Sequence, residues 1–183
     1  MDIRENLILT AVGPDRIGLV EKISEFIAQR GCNIEDSKMA VFCGEFAQIL
    51  LISGPASCIH KVAQEHHELS SLTGLSIFLK SPSKAKQTGP LLPYRLTASC
   101  MGHPGVVHRI SSVLSNLAIN IESMETKTYL APWSGTPIFR MEAIISIPTE
   151  LNVSVIRTRF AEIEREENID IDLSLLSSPA GPS

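Results

Sequence analysis

The sequence contains one pattern twice, and this internal repeat constrains the fold more than any other feature. Three groups of residues recur in the same order at one constant offset: Leu9-Thr10-Ala11 and Leu96-Thr97-Ala98, Gly18 and Gly105, and Asn33-Ile34-Glu35 and Asn120-Ile121-Glu122. No gap is needed between these matches. We therefore predict two copies of one unit, each of about 80 to 90 residues.

Hydrophobic spacing and terminal glycines or prolines define the elements of the first copy. An apolar run ends at Gly13-Pro14, which indicates a buried strand. Leu19, Ile23 and Ile27 then recur at the spacing of a helix. The predicted order is strand, helix, strand, strand, helix, strand, over residues 7–12, 18–30, 33–42, 46–53, 56–72 and 75–79.

The second copy repeats this order over residues 94–100, 106–117, 120–130, 138–147, 152–166 and 169–175, with a longer hairpin loop at 131–136. The predicted fold class is α+β: two ferredoxin-like βαββαβ sandwiches in tandem, with antiparallel sheets and helices on one face. We expect a first domain over residues 5–80, a linker over 81–92, a second domain over 93–176 and a flexible tail over 177–183.

The charge of the chain argues against direct binding to nucleic acid. The formal net charge is −4, and no cluster of lysine and arginine supplies the basic face that phosphate contacts need. The nearest group, Lys80, Lys84 and Lys86, falls in or beside the linker and reads as solvated. No apolar run approaches the roughly 20 residues of a membrane helix. Any control of transcription would then act through a partner protein.

The four cysteines favour a reducing compartment, and hence the cytoplasm. None lies in C-x-x-C spacing and no histidine pair completes a zinc pattern, so we expect small buried thiols and no metal site. The sequence also lacks nucleophile, metalloprotease and phosphate-loop signatures. We therefore expect a protein that is not an enzyme and carries no cofactor.

The loop from Gly13 to Leu19 is the richest candidate site. It joins the first strand to the first helix, where free N–H groups and partial positive charge can bind a carboxylate. Asp15 can either cap the helix or accept hydrogen bonds from a ligand's ammonium group. Gly18 can either let a ligand approach or let the helix pack tightly against the strand. Both alternatives are open for both residues.

The second copy changes this loop. Gly102 stands where the first copy has Asp15. His103 replaces Arg16, while the glycine is kept as Gly105. The loss of the carboxylate predicts two unequal sites, with the first loop as the better candidate.

Asn33 and Asn120 open the same strand in the two copies, and Ile-Glu follows each of them. A left-handed turn or a hydrogen bond across the sheet edge is the simpler role for these side chains. The functional alternative places them at a crevice that is completed by the loop of a neighbouring unit.

The chain resembles the tandem ACT-domain proteins, and among them the glycine cleavage system transcriptional repressor family. The resemblance is carried by the strand at residues 7–12, the loop Gly13-Pro14-Asp15-Arg16-Ile17-Gly18-Leu19 and the following Asn33-Ile34, and it covers roughly residues 5–176. A similar loop opens the regulatory ACT domains of formyltetrahydrofolate deformylase and of some phosphoserine phosphatases, in which a catalytic domain follows.

The resemblance implies a protein that binds an amino acid, with glycine as a candidate, and modulates a partner regulatory protein that controls amino-acid and one-carbon metabolism. It places the ligand at an interface between units. The ligand-facing residues that it implies are Asp15, Arg16, Ile17, Gly18, Leu19 and Asn33, and His103, Pro104, Gly105, Val106 and Asn120. The alternative is a protein-interaction module that needs no ligand. Exposed strand edges and small cores also favour a homodimer.

Overall fold

The computed structural model describes residues 4–83, 89–102 and 104–176. The chain divides into two compact units, with the division between residues 85 and 86. The predicted tail at 177–183 and the central part of the predicted linker, with Lys84 and Lys86, lie outside the described residues. The predicted domain boundaries stay predictions.

The first unit has the predicted order of elements. These are β1 (Arg4–Pro14), α1 (Leu19–Gln29), β2 (Asn33–Phe42), β3 (Glu45–Pro55), α2 (Ala56–Thr73) and β4 (Ser76–Lys80). The strands pair antiparallel in the order β2-β3-β1-β4. The first and third strands are therefore central, and β2 and β4 form the edges.

The second unit repeats this topology. Its elements are β5 (Leu91–Met101), α3 (Val106–Asn116), β6 (Asn120–Leu130), β7 (Pro137–Pro148), α4 (Val153–Glu167) and β8 (Asp170–Leu175). The strands pair antiparallel in the order β6-β7-β5-β8. The predicted fold class, two ferredoxin-like βαββαβ sandwiches in tandem, is confirmed.

The central strands are longer than their apolar runs. β5 begins at Leu91, inside the predicted linker, because Leu91 and Leu92 pair with the end of β7. β1 likewise begins at Arg4, which pairs with Pro55. Backbone hydrogen bonding continues past the last buried side chain, and hydrophobic spacing does not report that continuation.

Each core lies between one face of a sheet and its two helices. In the first unit Leu9 and Leu50 of the sheet share the core with Ile23 of α1 and Val62 of α2, and all four are at most 1% exposed. The second core is built in the same way from Leu96, Ala143, Ile110 and Ile156. Burial of these side chains is the main stabilising term for units of this size.

One core position differs in polarity between the units. Gln48 of β3 is 7% exposed, and its Oε1 has no hydrogen-bond partner among the described residues. The second unit has Met141 at the same place in the sheet, 0% exposed. A buried amide oxygen without a partner destabilises a core. We therefore expect Gln48 to destabilise the first core, and the apolar Met141 carries no such cost in the second.

The hairpins also differ. Cys43 and Gly44 connect β2 to β3 with positive φ angles of 50° and 82°, as a two-residue turn requires. Because Cys43 occupies this turn it is exposed, so the expectation of buried thiols is wrong there, although Cys32 and Cys100 are buried. The loop at 131–136 connects β6 to β7, and its Trp133 is 100% exposed.

Candidate functional site

The loop between β1 and α1 holds the first candidate site. Gly18 is the N-cap of α1, with a left-handed φ of 88°, and no side chain among the described residues caps this helix. Of the two alternatives for Asp15, capping of α1 is therefore excluded. Asp15 lies three residues before the cap, and its backbone N–H donates to the carbonyl of Gly44, at 2.8 Å, which ties the loop to the hairpin.

Both loops need glycine for a conformational reason. Gly18 and Gly105 have φ angles of 88° and 94°, which side chains of L-residues rarely allow. A Cβ on Gly18 would meet only the carboxylate of Glu21, at 3.8 Å, and a Cβ on Gly105 would meet nothing within 4 Å. Tight packing of helix against strand is thus not the reason for these glycines, and the described residues leave open space beside them.

Arg16 anchors the first loop. Its guanidinium donates to the carbonyl of Thr73 at the C-terminal end of α2, where the helix dipole favours a positive charge. It also lies so close to Gly74 that a Cβ there would come within 2.8 Å of its Nη2 atom. The predicted ligand-facing residue Arg16 therefore contacts the C-terminus of a helix of its own unit.

The other predicted loop residues divide into exposed and buried ones. Asp15 is exposed and Ile17 is 105% exposed, whereas Leu19 is 4% exposed and belongs to the first core. In the second loop Pro104 is exposed and Val106, at 2%, belongs to the second core. His103 lies outside the described residues.

The Asn-Ile-Glu segments form the same β-bulge in the two units. The register of β2 against β3 shifts between Ile34 and Asp36, and that of β6 against β7 shifts between Ile121 and Ser123. The bulged residues are therefore Glu35 and Glu122, at the same position of the two sheets. Sequence reasoning missed both glutamates, although Ile-Glu after each asparagine was the available signal.

In each bulge the asparagine bonds to the glutamate two residues later. Nδ2 of Asn33 donates to Oε1 of Glu35 at 3.1 Å, and Nδ2 of Asn120 donates to Glu122 at 2.8 Å. This bond fixes the orientation of the amide, and no donor among the described residues bonds to its Oδ1. A bond within the strand replaces the predicted turn or cross-strand contact.

The first bulge has two further partners. The Ser53 hydroxyl donates to Glu35, and Arg4 lies 3.7 Å from the same carboxylate. These groups hold the pKa of Glu35 below its ordinary value, with the Ser53 hydrogen bond as the main cause, followed by Asn33 and, more weakly, Arg4. Glu35 is thus ionised at neutral pH and below.

The loop and the asparagine of one unit lie at opposite ends of its sheet. Asn33 pairs with Ser53, which pairs with Asn6, whereas the loop follows Pro14. The part of β1 between them is about 26 Å long at the usual rise of a strand. The second unit repeats this separation, so a small ligand cannot contact both elements of the same unit.

A groove of about 600 Å³ opens beside the second asparagine. It runs along the C-terminal half of α3 and the start of β6, and Ser111, Ser115, Asn116, Asn120 and Ile121 are among its lining residues. The groove is open to solvent, and hydroxyl and amide side chains line it beside Asn120.

Within residues 4–83, 89–102 and 104–176, no group of three His, Cys, Asp or Glu side chains is placed to hold a metal ion. Each helix in this part of the chain is too short or too polar to cross a bilayer.

Comparison with known proteins agrees with this architecture. Residues 5–80 match the ACT domain family model. The glycine cleavage system transcriptional repressor of Escherichia coli is 22% identical over 171 residues, covering 93% of this chain and 90% of the relative. A UPF0237 protein of Methanococcus maripaludis is 30% identical over 66 residues, covering 36% of this chain and 68% of the relative.

A solved structure extends the comparison to both units. The crystal structure of an unknown protein from Galdieria sulphuraria is 29% identical, with a TM-score of 0.82, covering 96% of this chain and 100% of that one. Its fold therefore matches the first unit, the second unit and their order in the chain. The chain belongs to the ACT-domain family, with two units of that fold in tandem, and is similar along its length to the glycine cleavage system transcriptional repressor.

Proposed function

We propose that this chain is a cytoplasmic, non-enzymatic regulator that binds an amino acid, with glycine as the first candidate, and modulates a partner regulatory protein. The observation that carries the proposal is the loop at residues 15–18. It leaves the N-terminus of α1 without a side-chain cap and leaves open space beside Gly18. Such a helix end can receive a ligand's carboxylate.

The acidic groups of the first loop suit the other end of an amino acid. Asp15 is exposed and does not cap the helix, and the carboxylate of Glu21 lies beside Gly18. Two carboxylates beside the helix N-terminus favour a zwitterion over a simple anion, because the ammonium group of the ligand offsets their charge. The second loop has Gly102 at the position of Asp15, so we assign it the weaker site.

The asparagines fit the same ligand class. Nδ2 of each asparagine bonds to Glu35 or Glu122, and no described residue donates to Oδ1, which can therefore accept from an ammonium group. Because loop and asparagine lie at opposite ends of a unit, one small ligand cannot contact both of them within that unit.

Charge and similarity support the proposal that the chain acts through a partner protein. The net charge of −4 disfavours phosphate contacts, and the E. coli relative is a transcriptional repressor. The second candidate function is a protein-interaction module that needs no ligand. The fully exposed Trp133 favours this alternative, because tryptophan is a common anchor of protein interfaces, and the 65% exposed Leu130 lies in the same hairpin.

Calorimetric titration of the full chain with glycine, serine and a panel of other amino acids tests the proposal. We expect saturable binding that Asp15→Ala weakens by about tenfold, the effect of losing one charge-assisted contact. Asp172→Ala, which removes an exposed carboxylate outside the loops, is the matched control and should bind like the native chain. If the folded protein binds none of these compounds, the ligand-independent module is correct instead. Binding that Asp15→Ala leaves unchanged would place the site away from the first loop.

A further inference from the structure

The first sheet has an outer face, opposite its helices, with apolar side chains at its centre. Three rows of side chains cross this face from β2 to β4: Asp36, Leu51, Ile8 and Lys80; Lys38, Ile49, Thr10 and Phe78; and Ala40, Ala47, Val12 and Ser76. Phe78 is 62% exposed and Ile49 is 47% exposed. A shallow depression of about 210 Å³ lies between β2 and β3 on this face.

The outer face of the second sheet has the same rows with different chemistry. They are Ser123, Ile144, Arg95 and Ser174; Glu125, Glu142, Thr97 and Asp172; and Lys127, Arg140, Ser99 and Asp170. Glu142 stands where the first unit has Ile49, and Asp172 stands where it has Phe78. The fold therefore does not require apolar residues at these positions, and their presence on the first sheet needs another reason.

We propose that the outer face of the first sheet binds the same face of a second copy of this chain. The charges of the first row support a second copy as the binding partner, because Asp36 and Lys80 lie in one row at opposite edges of the sheet. A twofold axis parallel to the strands lays β2 of one copy over β4 of the other. Each Asp36 then faces the Lys80 of the other copy, while Leu51 and Ile8 are covered between them.

The second row is also complementary to itself under this rotation. Lys38 of one copy lies over Phe78 of the other, an arrangement that favours a cation–π contact. On the second sheet the same rotation would lay Glu125 over Asp172, which repel each other, and Lys127 over Asp170, which attract. The second face also has the charged residues Arg95, Glu142 and Arg140 on its two central strands, so pairing would bury charges where the first face buries apolar side chains.

The area of the outer face sets the expected affinity of the dimer. Four strands and three rows give a footprint of about 400 Å² per copy from standard strand spacings. This is about half of what a standard interface buries on each partner, so we expect a dimer that dissociates at micromolar concentrations. The interface needs no amino acid, and its test is independent of the proposed sensing function.

Sedimentation equilibrium of the full chain over a range of concentrations tests the proposal. Ile49→Glu installs the residue that the second unit carries at the same position, so the fold accommodates it, and Phe78→Lys replaces the ring that faces Lys38 with a like charge. We expect each to raise the dimer dissociation constant by at least about tenfold, the first because a charge must be buried and the second because two ammonium groups repel each other. Leu72→Glu places a charge on an exposed residue of α2, away from this face, and should leave the constant unchanged. Circular dichroism confirms that each variant is folded.

Exchanging the charges of Asp36 and Lys80 tests the proposed twofold axis. Asp36→Lys or Lys80→Asp alone places like charges opposite each other and should weaken the dimer, whereas the double variant restores the pairs and should recover it. A native chain that stays monomeric at every concentration overturns the proposal, and so does a dimer that Ile49→Glu and Phe78→Lys leave intact. If the double variant dimerises no more tightly than the single variants, the twofold arrangement is wrong.

Discussion

Gly18 of the first unit and Gly105 of the second begin their helices in the same left-handed turn, with φ angles of 88° and 94°. The outer faces of the two sheets, in contrast, carry Ile49 in one unit and Glu142 in the other at one shared position. Residues that set the backbone agree between the units, whereas residues that meet solvent differ. The fold itself therefore requires the glycines that begin these helices, whereas the solvent-facing side chains give each unit its own surface.

The cores provide the largest expected effect and should not distinguish the units. Ile52 and Ile145 occupy equivalent central positions and are both 0% exposed. We expect Ile52→Ala and Ile145→Ala each to lower the free energy of unfolding by about 2 to 5 kcal/mol, from lost burial and the cavity left behind. Urea denaturation measures both. Val155→Ala, at a 42% exposed position, is the control and should change stability by less than about 0.5 kcal/mol. Clearly unequal losses would mean that the two cores are not equivalent.

A smaller effect should distinguish the cores. Gln48→Met gives the first unit the residue found in the second and removes an amide oxygen without a partner. We expect it to raise the free energy of unfolding by about 1 kcal/mol, and Met141→Gln to lower it by about 1 to 3 kcal/mol. Urea denaturation of the two variants gives both values. A destabilising Gln48→Met would show that the amide makes a contact that stabilises the first unit.

The sequence predicted the fold because its signals are local and occur twice. Helix α1 was predicted from the spacing of Leu19, Ile23 and Ile27, and the structure places it at Leu19–Gln29. All three side chains are buried in the first core. The order of the strands follows from the same pattern, since six short elements per copy leave few ways to bury their apolar sides.

The candidate site was less predictable because distant residues shape it. The position of Asp15 depends on the hydrogen bond from its N–H to Gly44, and that of Arg16 depends on the end of α2 at Thr73. Neither partner is close in sequence, so local capping rules left the role of Asp15 open, and the structure shows that Gly18 is the N-cap. The bulges at Glu35 and Glu122 also depend on pairing with another strand, which the sequence alone does not show.

The smallest expected effect concerns the first bulge and its pH dependence. The pKa of Glu35 is held below its ordinary value of 4.5, chiefly by the hydrogen bond from Ser53. Its stabilising contribution is therefore fully present above the pKa of the unfolded chain and is lost as the pH falls through the lower pKa of the folded state.

Glu35→Gln removes this titration, so the native chain should lose more stability than the variant when the pH falls below about 4.5. The difference should be small because the Glu35 side chain is 43% exposed and solvent screens its contacts. Urea denaturation midpoints measured on both proteins from neutral to acid pH provide the test. Ser53→Ala deletes the main donor and should reduce the acid dependence in the same direction, as an independent check on the cause. Midpoints of Glu35→Gln that fall in parallel with those of the native chain would show that the bulge stabilises the fold through its shape and not through the ionised carboxylate.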